Sequence, residues 1–360
     1  MPRADKIGAF RQAGGEKNTS ANNAVNDTLH SQNDVKSSDS EKPESSIDYT
    51  SYLREPKYTL EDVILPQTTK NQIDLILAEI EYQDLIYDEW GMGEKHKLDK
   101  ALSINFSGLP GTGKTLTAEA LAHALKLKIL GVPYQQLESK YVGETPKNIA
   151  KAFEFASSNN AVLFFDEADS FLGKRLENVT QATDTAVNLT RSVMLMQLSS
   201  YEGIVIFATN LIRNYDPAFI SRIRWKTQFD LPDEEARAKI WQAQIPNKLP
   251  LDKNSVDFSE LAKQFDEISG RDIKNAVFKA VVAAAREDKP KEEKCVTQSH
   301  FAQAITEIIE ANKAASKQEV KLTPVDGTVE LPPPPKTEVD GTGESPPPSN
   351  TENDSYTMKL

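Results

Sequence analysis

One eight-residue run constrains this chain more than its length or composition does: Gly108-Leu109-Pro110-Gly111-Thr112-Gly113-Lys114-Thr115. It fits G-x-x-x-x-G-K-[ST] without a mismatch, a pattern that belongs between a strand and a helix. Glycine backbones can turn N–H groups inward onto an anion in conformations that side chains forbid. Ala101 to Phe106 before it reads as a buried strand. Leu116, Ala120, Leu121, Ala124 and Leu125 after it mark one face of a helix whose N-terminus points at the anion. Gly108, Pro110, Gly111, Thr112, Gly113 and Leu116 are therefore expected to surround the phosphates of a nucleotide. Lys114 sets a point charge beside the outer phosphates, and the Thr115 hydroxyl suits a Mg²⁺ ion.

The rest of the composition is uneven. Residues 1–57 are rich in Ser, Asn, Asp and Glu and are expected to form a disordered arm. Residues 316–360 carry Pro332 to Pro335 and Pro346 to Pro348 and read as an extended acidic tail, a tether or a docking ligand. Roughly 260 residues remain, enough for one α/β domain and a smaller helical companion. The net charge of −12 argues against a protein that coats nucleic acid, which needs a basic face. Cys295 is the only cysteine, which excludes an internal disulfide and a thiolate metal site. His30, His96, His123 and His300 lack ligand spacing. No apolar run is long enough to span a bilayer, so a cytoplasmic location is the expectation.

Two further strands complete a phosphate-handling site. Val162 to Phe165 is a continuous apolar run, as expected of a parallel strand buried on both faces, and it ends in Asp166-Glu167. A carboxylate at the carboxyl end of such a strand can reach a Mg²⁺ shell beside the phosphate loop. Glu167 could polarise a water for in-line attack. Gly203 to Ala208 is a second such run and ends in Thr209-Asn210. The Asn210 amide could hold the attacking water or a phosphate oxygen, or it could simply form the turn after the strand. Between these strands, Thr145 and Pro146 read as the cap and first turn of a helix carrying Ile149, Ala152, Phe153 and Ala156 on one face.

Gly108 to Thr115, Asp166-Glu167, Ala208-Thr209-Asn210 and Asp216-Pro217-Ala218, in this order, resemble an AAA-family ATPase of the AAA+ superfamily, over roughly Tyr58 to Ala314. The resemblance implies an α/β fold: an AAA+ P-loop domain at 58–233, its central parallel five-stranded sheet flanked by helices. A small all-α lid at 234–315 would follow, with apolar faces Ile273, Val277, Val281, Ala284 and Phe301, Ile305, Ile308. Trp225 and Trp241 are expected to pack, and Trp90 to cover the lead-in helix.

The same resemblance implies ATP and Mg²⁺ as ligands and hydrolysis of the β–γ phosphoanhydride. Asp62 and Val63 would lie near the adenine. Asp166 would join Thr115 at the metal, Glu167 would be the hydrolytic base beside Lys114, and Asn210 the first sensor. Arg222 would act in trans on a neighbouring subunit's site, with Arg224 the second choice. Ser221-Arg222-Ile223-Arg224 replaces the family's closely set arginine pair. Arg271 stands open between a nucleotide sensor and a surface charge. Tyr141, Val142 and Gly143 resemble a pore loop that grips a polypeptide in the channel of a homohexamer. Tyr141 could instead cover the end of the neighbouring helix. The acids also spell the DEAD of an RNA helicase, but Ala208-Thr209-Asn210 stands where such helicases place Ser-Ala-Thr. The alternatives to a protein remodeller with an unidentified protein client are a nucleotide-controlled loader on nucleic acid and a scaffold assembled by ATP.

Overall fold

In the computed structural model the described residues are 47–95, 102–139, 143–172, 182–210, 215–252 and 255–322. By contact the chain divides into residues 1–312 and 313–360; in the second unit the described residues are helical, to Leu322. In chain order the main elements are β1 (Leu53–Arg54), α1 (Gln67–Glu81), β2 (Leu102–Gly108), α2 (Lys114–Ala124), β3 (Lys128–Gly131), α3 (Glu144–Ser158) and β4 (Ala161–Phe165). Then come α4 (Ala182–Ser200), β5 (Ile204–Thr209), α5 (Pro217–Arg222) and β6 (Trp225–Phe229), followed by α6 (Glu234–Ala243), α7 (Phe258–Gln264), α8 (Gly270–Arg286) and α9 (Gln298–Leu322).

The continuous apolar runs sort their side chains to two faces. Ile104 and Phe106 of β2, Val162 and Phe164 of β4, and Ile206 and Ala208 of β5 join Ile73, Ile76, Ala118 and Leu121 of α1 and α2 in one core. Leu163 and Phe165, with Val205 and Phe207, join Ile149, Phe153, Met194 and Leu198 of α3 and α4 in the other. The period-two alternation of a strand is present, but both faces are apolar because helices cover both. The sheet order is β1-β3-β4-β5-β2-β6, parallel except for the β1–β3 pair. Ser107 lies beside Thr209, and Phe165 beside Phe207, so β2, β4 and β5 end together. A ligand crevice is expected at those carboxyl ends.

The arm expected at 1–57 overlaps the described residues only from residue 47. Residues 1–46 lie outside the described residues, but from residue 47 the chain is part of the fold. Tyr49 is buried, its hydroxyl donates to the Asn148 carbonyl at 2.7 Å, and Leu53 and Arg54 pair antiparallel with Leu130 and Ile129. This makes a sixth strand beside the five parallel ones. Ile47, Tyr49, Tyr52 and Leu53 dock this stretch on the core, and composition averages conceal them.

The lid is the four-helix region α6 to α9. Trp241, Ile273, Val277, Phe301, Ile305 and Ile308 meet in its core, as their helical spacing predicts. Trp241 is fully buried and Trp225 half-buried. Trp90 differs from expectation: it stays 70% exposed at the end of a short π-turn, Leu85–Glu89, beyond the reach of the α1 packing face.

Candidate functional site

The loop between β2 and α2 is shaped by its glycines. At Gly108 a Cβ would stand 2.0 Å from the Phe229 carbonyl oxygen, so no other residue fits. Gly111 has φ +82, and a Cβ there would lie 2.6 Å from Ser269 Oγ and 2.7 Å from Arg271 Cβ. The loop thus passes directly against the start of α8. Gly113, at φ +101, is the N-cap of α2 and provides no side-chain cap. The first amides of that helix are left for an anion.

Lys114 is folded back into this loop. Its Nζ donates to the Gly108 carbonyl at 2.8 Å, the Leu109 carbonyl at 2.9 Å and Asn210 Oδ1 at 2.8 Å. Burial pushes the ammonium down to about 8; Arg271 adds to the shift, while Asp166 and Asp169 oppose it. A buried cation whose hydrogen bonds all go to neutral oxygens is one that an anion would stabilise. Beside it, Thr115 Oγ1 donates to Asp166 Oδ2 at 2.9 Å, and the Glu167 amide donates to Asp166 Oδ1 at 2.9 Å. Thr115 and Asp166 are hard oxygen donors side by side at the exposed end of β4, a pair that fits Mg²⁺. Glu167 is exposed and has φ +51, an uncommon backbone for a non-glycine residue and a frequent mark of a functional turn.

These residues line one cleft of about 520 Å³, with Pro110, Gly111, Thr112, Gly113 and Leu116 on one side and Arg271 on the other. The structure thereby brings together Lys114, Thr115, Asp166, Glu167, Asn210 and Arg271 from separate parts of the sequence. Gly108 contributes its carbonyl rather than a wall. Asp62 lines the cleft, but its carboxylate accepts from the Thr59 amide at 2.7 Å and hydroxyl at 2.9 Å, bonds that hold it below the usual carboxylate range. Val63 is not among the lining residues; Ile64, Pro66 and Tyr58 are. In an extended segment alternate side chains share a face, as Asp62 and Ile64 do on this wall.

Sequence reasoning also missed the lid side of the cleft, Ile240, Ala243, Gln244 and Lys274. It missed a bond behind the site as well: Thr209 Oγ1 donates to Asp169 Oδ1 at 2.7 Å, tying the end of β5 to the helical turn after β4. An acid three residues after Asp166 was the available signal.

Arg222 and Arg224 differ sharply. Arg222 ends α5, is exposed, and donates to Ser199 Oγ at 3.2 Å and the Ala218 carbonyl at 3.0 Å. Arg224 is half-buried and ion-paired with Glu79 of α1. Neither lines the cleft of its own chain. Tyr141 and Val142 lie outside the described residues. Gly143, at φ +87, is the N-cap of α3, so this helix opens two residues before the expected Thr145. Thr145 Oγ1 instead accepts from the Ser139 amide at 3.0 Å, bracing the loop that precedes the helix. Among the described residues no helix is long and apolar enough to cross a membrane.

Comparison with known proteins agrees with this geometry. The family described as "ATPase family associated with various cellular activities (AAA)" matches residues 104–231. The chain is similar to "Probable 26S proteasome regulatory subunit 4" of Caenorhabditis elegans, 30% identical over 71% of this chain and 56% of the relative. "26S proteasome regulatory subunit 8" of the same organism is 32% identical over 60% and 52% of the two chains. "26S proteasome regulatory subunit 4 homolog" of Encephalitozoon cuniculi (strain GB-M1) is 34% identical over 66% and 54%. The chain spans about half the length of these curated relatives.

Proposed function

We propose that this chain, whose residues 104–231 match the AAA ATPase family, binds and hydrolyses ATP in the cleft between sheet and lid to do mechanical work on a protein. The observation that carries the reading is the convergence of two hydrogen-bonded pairs, Lys114 with Asn210 and Thr115 with Asp166, in one cleft at the strand ends. The amides of Gly111 to Thr115 and the Lys114 ammonium would receive the phosphates. Lys114 would exchange its carbonyl acceptors for phosphate oxygens and so release Asn210 to sense the γ-phosphate. Thr115 and Asp166 would hold one Mg²⁺, which neutralises phosphate charge when bound. Glu167, exposed beside them, takes the proton of the attacking water. Arg271 sits where it can feel bound phosphate from the lid.

The trans and mechanical parts belong to the same proposal. Arg222 is exposed and remote from its own cleft, as a group serving a neighbouring subunit's phosphate must be. A ring of identical subunits satisfies that requirement. Tyr141 and Val142, just before the Gly143 turn, would grip the polypeptide, and the similarity to subunits named for a proteasome supports a protein client. The test is Glu167→Gln. ATP binding should persist while kcat drops roughly 10²–10⁴-fold, the usual range for losing a general base. Unchanged turnover would remove Glu167 from the mechanism. Tyr141→Ala should abolish client unfolding and spare basal ATP turnover; surviving unfolding would overturn the pore-loop role.

A further inference from the structure

The turn between α5 and β6 is gripped from both sides of Arg222. Ser103 Oγ of β2 donates to the Arg222 carbonyl at 2.8 Å, and the Arg224 amide donates to the Ser103 carbonyl at 3.1 Å. Ile223, between the two arginines, is 3% exposed and packs in the core shared with α3 and α4. The backbone that carries Arg222 is therefore tied to β2, while its side chain is exposed.

The Arg224 side chain makes the longer reach. Its Nη1 donates to Glu79 Oε1 and to the Tyr87 hydroxyl, and its guanidinium lies 6.0 Å from the Tyr87 ring centroid. The Tyr87 hydroxyl donates to Glu79 Oε1 at 3.0 Å, and the Trp225 indole N–H donates to Glu79 Oε2. One carboxylate on α1 thus holds an arginine, a tyrosine and a tryptophan. Both charges are largely out of water, with side chains 15% and 25% exposed for Glu79 and Arg224. Removing one partner of such a pair leaves the other charge buried and uncompensated, so it must move. The movable group is Arg224, two residues from Arg222.

We infer that Glu79 is a positioning residue for Arg222: by leashing Arg224 and Trp225 it fixes the turn and leaves one arginine, not two, at the edge presented to a neighbouring subunit. This rests on the proposed role of Arg222 in trans. Glu79 lies nowhere on the wall of its own chain's cleft. Its loss should therefore act on a neighbour's turnover rather than on ATP affinity.

Subunit mixing tests this. Glu79→Gln keeps the side-chain volume and removes the charge. Alone, it should lower kcat about tenfold, equivalent to 1.4 kcal/mol, with KM for ATP within about twofold. Mixed with Glu167→Gln subunits, which keep an intact arginine turn, turnover per Glu79→Gln subunit should rise several-fold. Arg222→Ala should be restored in the same way. If Arg222→Ala is restored and Glu79→Gln is not, or if Glu79→Gln leaves kcat unchanged, the inference is wrong. If Arg222→Ala is itself not restored, the role of Arg222 in trans fails and the inference falls with it. Should Glu79→Gln not fold, Tyr87→Phe removes one bond to Arg224 and keeps the ring, and the same outcomes decide.

Discussion

At the sheet end of the cleft, polar side chains hold one another: Thr115 to Asp166, Lys114 to Asn210, Thr209 to Asp169. Across the cleft, the lid is joined by apolar volume around Trp241, which is fully buried among Ile273, Phe301 and Ile305. The Trp241 indole N–H finds no hydrogen-bond acceptor among the described residues, so even this polar atom contributes only bulk. Hydrogen bonds are short-ranged and directional, and they fix the chemistry to a fraction of an ångström. Packing fixes shape and tolerates a small shift of the whole body. The lid touches the phosphate loop at Gly111, where the Arg271 amide donates to the Gly111 carbonyl at 3.3 Å. One wall is built to be exact and the other to be adjusted.

The largest expected effect is in the lid. Trp241→Ala should destabilise the protein by about 3–5 kcal/mol through the cavity it leaves, read as a fall in denaturant midpoint. Trp241→Phe should cost far less, because the lost N–H had no partner. If the two variants cost the same, the lid depends on that N–H and the contrast between the walls breaks down.

The reverse sensitivity is expected behind the strand ends. Thr209→Val keeps the volume and deletes one hydroxyl, which leaves the Asp169 carboxylate without its 2.7 Å donor. Hydrogen bonds to charged groups contribute roughly 1.5–3 kcal/mol, so an isosteric change should be felt here in both stability and kcat. Thr209→Ser, which keeps the hydroxyl, should recover most of the loss. A harmless Thr209→Val would mean that the strand ends are aligned by the sheet alone.

The same contrast decides how much the sequence disclosed. Chemistry confined to a contiguous run, as at Gly108 to Thr115, is readable because its spacing is its geometry. Asp166-Glu167 and Asn210 were readable because an apolar strand ends at each. Much of the lid core was readable from helical period, with Ile273, Val277, Phe301, Ile305 and Ile308 falling on buried faces. What stayed hidden joins distant positions through side chains: Glu79 with Arg224, 145 residues apart, or Arg54 with Glu119 at 2.8 Å. No local pattern records such a pair. Other details escaped because a single residue decides them. Asp62 and Ile64 share the cleft wall, Gly143 rather than Thr145 caps α3, and β1 is only two residues long.

The effect most specific to the exact wall concerns Lys114. Its folded-state pKa of about 8 lies below the ordinary lysine value of 10.5, because burial disfavours the charged form. Below pH 8 both folded and unfolded chains carry the proton, and the folded state bears the full cost of burying the charge. Between about 8 and 10.5 the unfolded chain binds more protons, so stability should rise with pH by at most ~1.4 kcal/mol per unit. Lys114→Met should lack that rise, and the difference between the two curves isolates this one group. Saturating ATP places phosphate charge beside the ammonium, which raises its value and should flatten the rise in the natural protein. If the natural protein and Lys114→Met trace parallel curves from pH 7 to 10, Lys114 is not desolvated in the free cleft, and its hold on Asn210 is not a constraint that the phosphates release.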